Sequence, residues 1–390
     1  MARLYAAFLA LYTVADVTLA KPSPFGKHAQ HARAGAPYIN TDLVAQNAIA
    51  ITNQSWEYGA LTQALIELEA PALSVFSLSP FPPLTLVNPI PDAVWDIITP
   101  ILDAEQPDDF AFIDGAGAAG DPSSIGPAVI LANTVANNKT WDDDVEKQLN
   151  HLLYDVPHSD EGAISQREDE VQYWADAVYM MPPFLAYWGA MTGGANGTEQ
   201  LKNAHLQCKL YREALFDADA SLWRHIAGGS WQLNNHWATG NAWAAFGIVR
   251  VLATIQASDA ADELQSEQQD LIDWVNEILK GSYQYQTSNG TIFNDIDLPE
   301  DQTFADSAGT ALITAAAYRL AAITGDKTYI KNAETSYEFV ANSIDGDGWL
   351  NHAVNPLTFN TPLTGDIRSP EGQSFVLSLV AARKAYYLTL

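Results

Sequence analysis

Asp176 is the residue of this chain best suited to chemistry. From Glu170 to Met181 the residues Val171, Trp174, Ala175, Val178 and Met181 recur at three- and four-residue spacing, which predicts a helix over 170–181. Tyr173, Tyr179, Met180 and Pro183 share the other side with Asp176, so beyond Glu170 the helix carries one acid in apolar surroundings. Burying a lone carboxylate is costly unless it is hydrogen-bonded or kept protonated. The rise in pKa that burial brings is also what a general acid needs. A structural aspartate capping a neighbouring helix is the competing reading.

A second acid, Asp121, lies within the glycine-rich run 112–126 and precedes Pro122. Proline at a first helical position makes Asp121 a plausible N-cap, which is compatible with catalysis. The run lacks a Gly-Lys-Ser/Thr ending and a preceding strand, so it is not a phosphate cradle. Asp142, Asp143 and Asp144 open a helix and are best explained by capping and the helix dipole. His28 and His31, the one close histidine pair, sit in a Pro- and Gly-rich stretch unsuited to a preformed metal site. His225 and His236 lie among Trp223, Trp231, Trp237 and Trp243, which reads as a sugar pocket more than a metal centre. No Gly-x-Ser-x-Gly pattern supports a serine nucleophile, and Cys208, alone, can form neither an intrachain disulfide nor a zinc ribbon.

The elements that must position these groups are mostly helical. Apolar periodicity predicts helices over 56–68, 124–136, 142–154, 170–181, 240–255, 259–279, 304–324, 327–344 and 372–387, among roughly ten to twelve in all. Strand signals are sparse; the best is 282–293, where Tyr283 and Tyr285 alternate with polar residues before Asn289-Gly290. Short links such as Gly325-Asp326 force antiparallel neighbours. With no linker of low complexity, the pattern predicts one closed ring of helical hairpins whose loops surround a pocket at one end. The 11 Trp and 16 Tyr suit sugar faces.

Residues 1–20 read as a signal peptide: Arg3, an apolar run from Leu4 to Val14, then Thr18-Leu19-Ala20 before Lys21. Residues 21–40 read as a flexible segment and 41–390 as a single domain. Four acceptor triplets, at Asn53, Asn138, Asn196 and Asn289, favour a glycosylated secreted protein. The 390 residues carry 19 Lys+Arg against 47 Asp+Glu, a net charge of -28. Such a surface offers nucleic acid and anionic membranes no attraction, and no later segment reaches the ~18 uncharged apolar residues of a membrane span.

Trp174-Ala175-Asp176-Ala177-Val178-Tyr179-Met180-Met181-Pro182-Pro183-Phe184-Leu185 resembles the Trp-x-Asp-x-x-Tyr-Met-x-x-Pro-Phe-Leu segment of the unsaturated uronyl hydrolases, glycoside hydrolase families 88 and 105. Trp237-Ala238-Thr239-Gly240-Asn241-Ala242-Trp243 resembles their Trp-x-Arg-Gly-Asn-Gly-Trp segment. Asp306-Ser307-Ala308-Gly309-Thr310-Ala311 and Glu371-Gly372-Gln373-Ser374-Phe375 are similar to later, weaker blocks, and the likeness runs from about residue 105 to 388. The resemblance implies an all-α fold, an (α/α)6 barrel, with Asp176 as principal acid/base, Asp121 as the second active-site aspartate and His225 as a substrate contact. Trp237, Asn241 and Trp243 fall in the substrate-side block. It implies hydration of a 4,5-unsaturated uronyl residue at the non-reducing end of a lyase-generated oligosaccharide, with no metal and no organic cofactor.

Thr239 stands where that family has Arg, and Gln166 where it has His. An anionic sugar then needs another cation. Arg167, which aligns with the family's basic residue, is the first candidate and Arg224 the second; Thr239→Arg would partly restore binding. Two other functions fit the same scaffold: a glycosidase using Asp121 and Asp176 on a saturated sugar, and a non-catalytic glycan-binding protein.

Overall fold

The computed structural model describes residues 37–106 and 108–390. Twelve α-helices order the described residues. The first six are α1 (Thr41–Ile51), α2 (Ser55–Glu69), α3 (Asp92–Ala104), α4 (Gly126–Ala136), α5 (Lys139–Asn150) and α6 (Ala177–Thr192). The others are α7 (Gly194–Leu215), α8 (Ala238–Ala257), α9 (Gln265–Gln284), α10 (Ser307–Thr324), α11 (Ile330–Asn342) and α12 (Pro370–Leu388). The even-numbered helices form an inner ring. α6 packs on α8, α8 on α10, α10 on α12 and α12 on α2, while a 3-10 turn, Asp121–Ile125, leads into α4 and fills the place between α2 and α6. The odd-numbered helices form the outer layer, closed by α1 against α12. This is the all-α barrel of six hairpins, (α/α)6.

Composition explains which helix goes where. α8, α10 and α12 are buried over nearly their whole length, and their small residues, alanines and serines above all, let neighbours approach. A helix apolar all round has to lie inside. α5 and α9 bury one stripe, such as Leu271, Trp274, Val275 and Ile278 of α9, and give the other side to acids and amides. α8 is long and apolar enough to cross a membrane, but every part of that stretch is buried in the ring.

Two sequence expectations are corrected. The helix expected over 170–181 begins at Ala177; before it β1 (Gln172–Trp174) pairs antiparallel with β2 (Ile226–Gly228), so Asp176 occupies the N-cap position. The apolar stripe had merged a strand's residues with a helix's. Pro182 and Pro183 then lie inside α6, where they remove two amide donors. Arg250 Nη1 reaches the freed Tyr179 carbonyl at 3.3 Å, and Gly247 of α8 sits against the Val178 carbonyl, where a Cβ would lie 2.2 Å from that oxygen. The strand expected over 282–293 is instead the last turn of α9, with Tyr283 buried, followed by a turn at Asn289-Gly290. Ahead of the expected domain start at residue 41, Ile39 already belongs to the core and Asn40 caps α1. The signal-peptide segment and His28 and His31 lie outside the described residues.

The buried carboxylates Glu67 and Glu334, away from the pocket, are paired. Arg319 Nη2 donates to Glu67 at 2.7 Å, Gln63 bridges Glu67 to Arg250, and Arg383 engages Glu334 through two nitrogens at 3.1 and 2.9 Å.

Candidate active site

The N-terminal ends of the inner helices converge on one pocket of about 230 Å³. Trp56 near the start of α2, Asp121 before α4, Asp176 and Met180 of α6, Trp237 before α8 and Glu371 of α12 line it, with Trp174 and Phe359 completing an aromatic wall. A larger groove of about 650 Å³ runs beside α3, but it contains neither aspartate and no tryptophan.

Short backbone pairings at the rim hold these groups. Ala119 N–H donates to the Gln166 carbonyl at 2.7 Å and Glu168 N–H to Gly117 at 3.2 Å, which lays the glycine-rich loop alongside 166–168. Gly117 has φ +83°, and the Arg167 guanidinium lies where its Cβ would be, 2.5 Å from Nη2, so only glycine allows that cation to reach over the loop. Gln166 N–H donates to Gln172 at 3.0 Å, and Ala175 N–H donates to the His225 carbonyl at 2.9 Å. Loop 115–120, β1 and β2 thereby bring Asp121, Gln166, Arg167 and Asp176 to one pocket.

Asp121 is buried, and its Oδ1 accepts from Gln166 Nε2 at 2.7 Å. It makes no capping bond, so the expected N-cap role is not taken up. Burial pushes its pKa up to about 7; the nearby Asp176 charge adds to the rise, while the Gln166 hydrogen bond and Arg167 oppose it. His225 Nε2 lies 3.3 Å from Asp176 Oδ2, but neither atom has a hydrogen-bond partner of proper angle. His225 is buried behind Asp176, packed between Trp237 at 4.5 Å and Phe359 at 5.0 Å, and is not among the pocket-lining residues. It buttresses the carboxylate more than it offers a surface to a sugar.

The other expected residues divide. Arg167 lines the pocket, with Asp169 3.6 Å from its Nε. Trp237 lines it too and is fixed by Nε1 donating to Asn294 at 2.9 Å. Asn241 does not reach it: its amide donates to the Trp223 and Trp237 carbonyls, and its oxygen accepts from Trp223 N–H at 2.8 Å. Trp243 is buried between Tyr179 and Phe375, with ring centroids 4.4 and 4.5 Å away. Arg224 is paired with Asp217 at 2.7 Å outside the pocket. Thr239, fully buried, donates its hydroxyl to Asp306 at 2.7 Å, which leaves no room for the Arg once expected to restore binding.

Glu371 and Trp56 went unselected by sequence reasoning, although Glu371 opens one of the quoted blocks. Trp56 Nε1 donates to Glu371 Oε2 at 2.8 Å across 315 residues. No local spacing signals such a pair. No group of three or more metal-ligating side chains occurs among the described residues.

The comparisons agree with this architecture. A model of Glycosyl Hydrolase Family 88 matches residues 117–371. No curated protein matches the chain. Among solved structures, a possible member of family GH105 from Salmonella enterica superposes with a TM-score of 0.72 at 15% identity, covering 89% of this chain and 93% of that one. The unsaturated glucuronyl hydrolase of Bacillus sp. GL1 gives a TM-score of 0.63 at 13% identity over 87% and 93%. A complex with the tetrasaccharide dGlcA-Glc-Rha-Glc gives 0.60 at 14% over 84% and 86%. With the barrel, the aspartate pair and a family match over most of its length, the chain belongs to Glycosyl Hydrolase Family 88 and is a glycoside hydrolase.

Proposed function

We propose that this glycoside hydrolase hydrates the 4,5-double bond of an unsaturated uronyl residue at the non-reducing end of lyase-generated oligosaccharides. The observation that carries the reading is Asp121, held up at about pH 7 beside Asp176 in one pocket, so that at mildly acidic pH the pair holds a proton to give. The proton held by the pair passes through Asp176 to C4 of the vinyl ether, and a water that gives a proton back to the pair's carboxylate adds its oxygen to C5. The C5 hemiketal opens, its ring oxygen takes the proton and stays on C1, and the C1 hemiacetal then expels the remaining sugar as an alcohol. One water is consumed per bond cleaved.

Two features support an anionic substrate. Arg167 supplies a cation at the pocket wall, and the inner helices point their N-terminal dipoles at it, a field that favours a carboxylate. The tetrasaccharide complex on a similar fold fits an oligosaccharide as the partner. The test is turnover in deuterated water: the account expects one deuterium on C4 of the released uronic product, and its absence would mean a different reaction.

A saturated-sugar glycosidase is the second reading, favoured by Thr239, whose hydroxyl is spent on Asp306 and supplies no charge to a uronate. Release of a saturated sugar with no unsaturated oligosaccharide consumed would establish it. A non-catalytic glycan receptor would show neither. We also read the protein as secreted and glycosylated. Asn53, Asn196 and Asn289 are exposed and Asn138 half-buried at the start of α5, so all four acceptors lie at the surface; endoglycosidase treatment should lower the mass of the native protein.

A further inference from the structure

Glu371 has no part in the reaction as described, yet it lines the same pocket. It is the second residue of α12, and the cap of that helix does not need it, since Ser369 accepts from Gly372 N–H at 3.0 Å. The residue is only 2% exposed. Oε2 accepts from Trp56 Nε1 at 2.8 Å, whereas Oε1 is buried with no partner at all. A buried polar atom left empty is costly, and such a group in a native site calls for a ligand.

The pocket is also short of side-chain donors. The indole N–H groups of Trp56, Trp174 and Trp237 are spent on Glu371, Gln172 and Asn294, and one of the two Gln166 amide hydrogens is spent on Asp121. Among the lining side chains that leaves Arg167, the second Gln166 hydrogen and the proton of the aspartate pair to meet a ring studded with oxygens.

We propose that Glu371 is a specificity residue of this site, its Oε1–H donating a hydrogen bond to an acceptor oxygen of the terminal sugar. The inference rests on the reading above only in taking that pocket as the sugar site. Burial raises the Glu371 pKa well above the carboxylate range, with Trp56 opposing and the Glu57, Asp176 and Asp306 charges adding to the rise. Because the Trp56 hydrogen occupies Oε2, the proton of the neutral acid belongs on Oε1. Three carboxyl groups in one pocket then have separate work: two exchange protons and the third holds the ring.

The test compares Glu371→Gln with Glu371→Met. Glutamine keeps an acceptor for Trp56 and presents an N–H where the acid presents its O–H; methionine fills the volume without a donor. Wild type is first offered a panel of unsaturated-uronyl and saturated oligosaccharides, and the variants are measured on whichever substrate it turns over. A wrong reaction therefore shows in the wild-type panel and a wrong role for Glu371 in the variant ratios. Glu371→Met should raise KM at least tenfold with kcat within about threefold, and Glu371→Gln should recover most of that loss. Wild-type KM should rise at alkaline pH, and the rise should flatten in Glu371→Gln. An unchanged KM in Glu371→Met, with lowered thermal stability alone, would make the residue structural and overturn the proposal. Equal losses in the two variants would make it an ionised group and overturn it as well. Should Glu371→Met fail to fold, the pH profile of Glu371→Gln decides alone.

Discussion

The two ends of the inner ring treat charge in opposite ways. Away from the pocket Glu67 meets Arg319 and, through Gln63, Arg250 inside the ring, and Glu334 of the outer α11 meets Arg383 of α12; each carboxylate has a cation or an amide to answer it. At the pocket end Asp121, Asp176 and Glu371 crowd together with Arg167 as the lining cation, and atoms of Asp176, Gln166, His225 and Glu371 have no partner. Packing demands explain the first arrangement, because an unmatched buried charge would cost several kcal/mol. They do not explain the second. Arg250 and Arg319 each leave an Nε unpartnered as well, but at the pocket the unanswered atoms include carboxylate oxygens of Asp176 and Glu371, the groups that would move a proton and meet a substrate.

Removing one member from each end should therefore damage different quantities. The largest effect is expected from Asp176→Asn, which keeps size and removes the titratable proton: kcat should fall by about 10³-fold or more with the melting temperature nearly unchanged. At the paired end, Arg319→Met strands Glu67 and should cost about 3–5 kcal/mol of stability by denaturant titration, with kcat of the folded fraction intact. A large loss of kcat in the second variant, or of stability in the first, would erase the contrast.

Asp121 sharpens it through pH. Its proton is bound more tightly in the folded than in the unfolded chain, since the pKa rises from 3.8 to about 7. Stability from this group is full below pH 3.8 and is lost as pH rises through about 7. Asp121→Asn should flatten that decline and leave the protein more stable than wild type at pH 8, by an amount on the order of 2–4 kcal/mol, while activity falls by about 10²-fold. Thermal melts from pH 4 to pH 8, roughly the span between ordinary and raised carboxyl values, would show it. A parallel decline in both proteins would mean that Asp121 is not the group responsible.

Smaller effects come from the rim and from the residues that sequence placed in the pocket. Arg167→Ala should raise KM for uronyl substrates about tenfold, near 1.4 kcal/mol, with little change in stability, since the guanidinium is partly exposed over Gly117. Asn241→Ala should do the reverse, costing about 1–3 kcal/mol of stability with KM unchanged, because its amide ties Trp223 to the start of α8.

That division also marks what the sequence carried. The helical ring was legible because inner helices are apolar on every side and outer ones on one stripe, and both patterns survive in short windows. Asp176 stands out as one acid among apolar residues, although the periodicity starts its helix seven residues too early; the strand Gln172–Trp174 happens to continue the helical spacing. Asn241 and Trp243 have the right chemistry for sugars but sit on the sides of the α8 start that face backbone and core. Trp56 and Glu371 were hidden by ring closure: α2 meets α12 only when the barrel shuts, and no periodicity encodes that meeting.

The most direct measurement follows the ultraviolet absorbance of the conjugated double bond as wild type and Asp176→Asn are incubated with lyase-generated oligosaccharides at mildly acidic pH. The account predicts steady loss of absorbance with wild type and a rate about 10³-fold lower or less with the variant at equal thermal stability. Undiminished absorbance with wild type, or near-normal rates with Asp176→Asn, would contradict it.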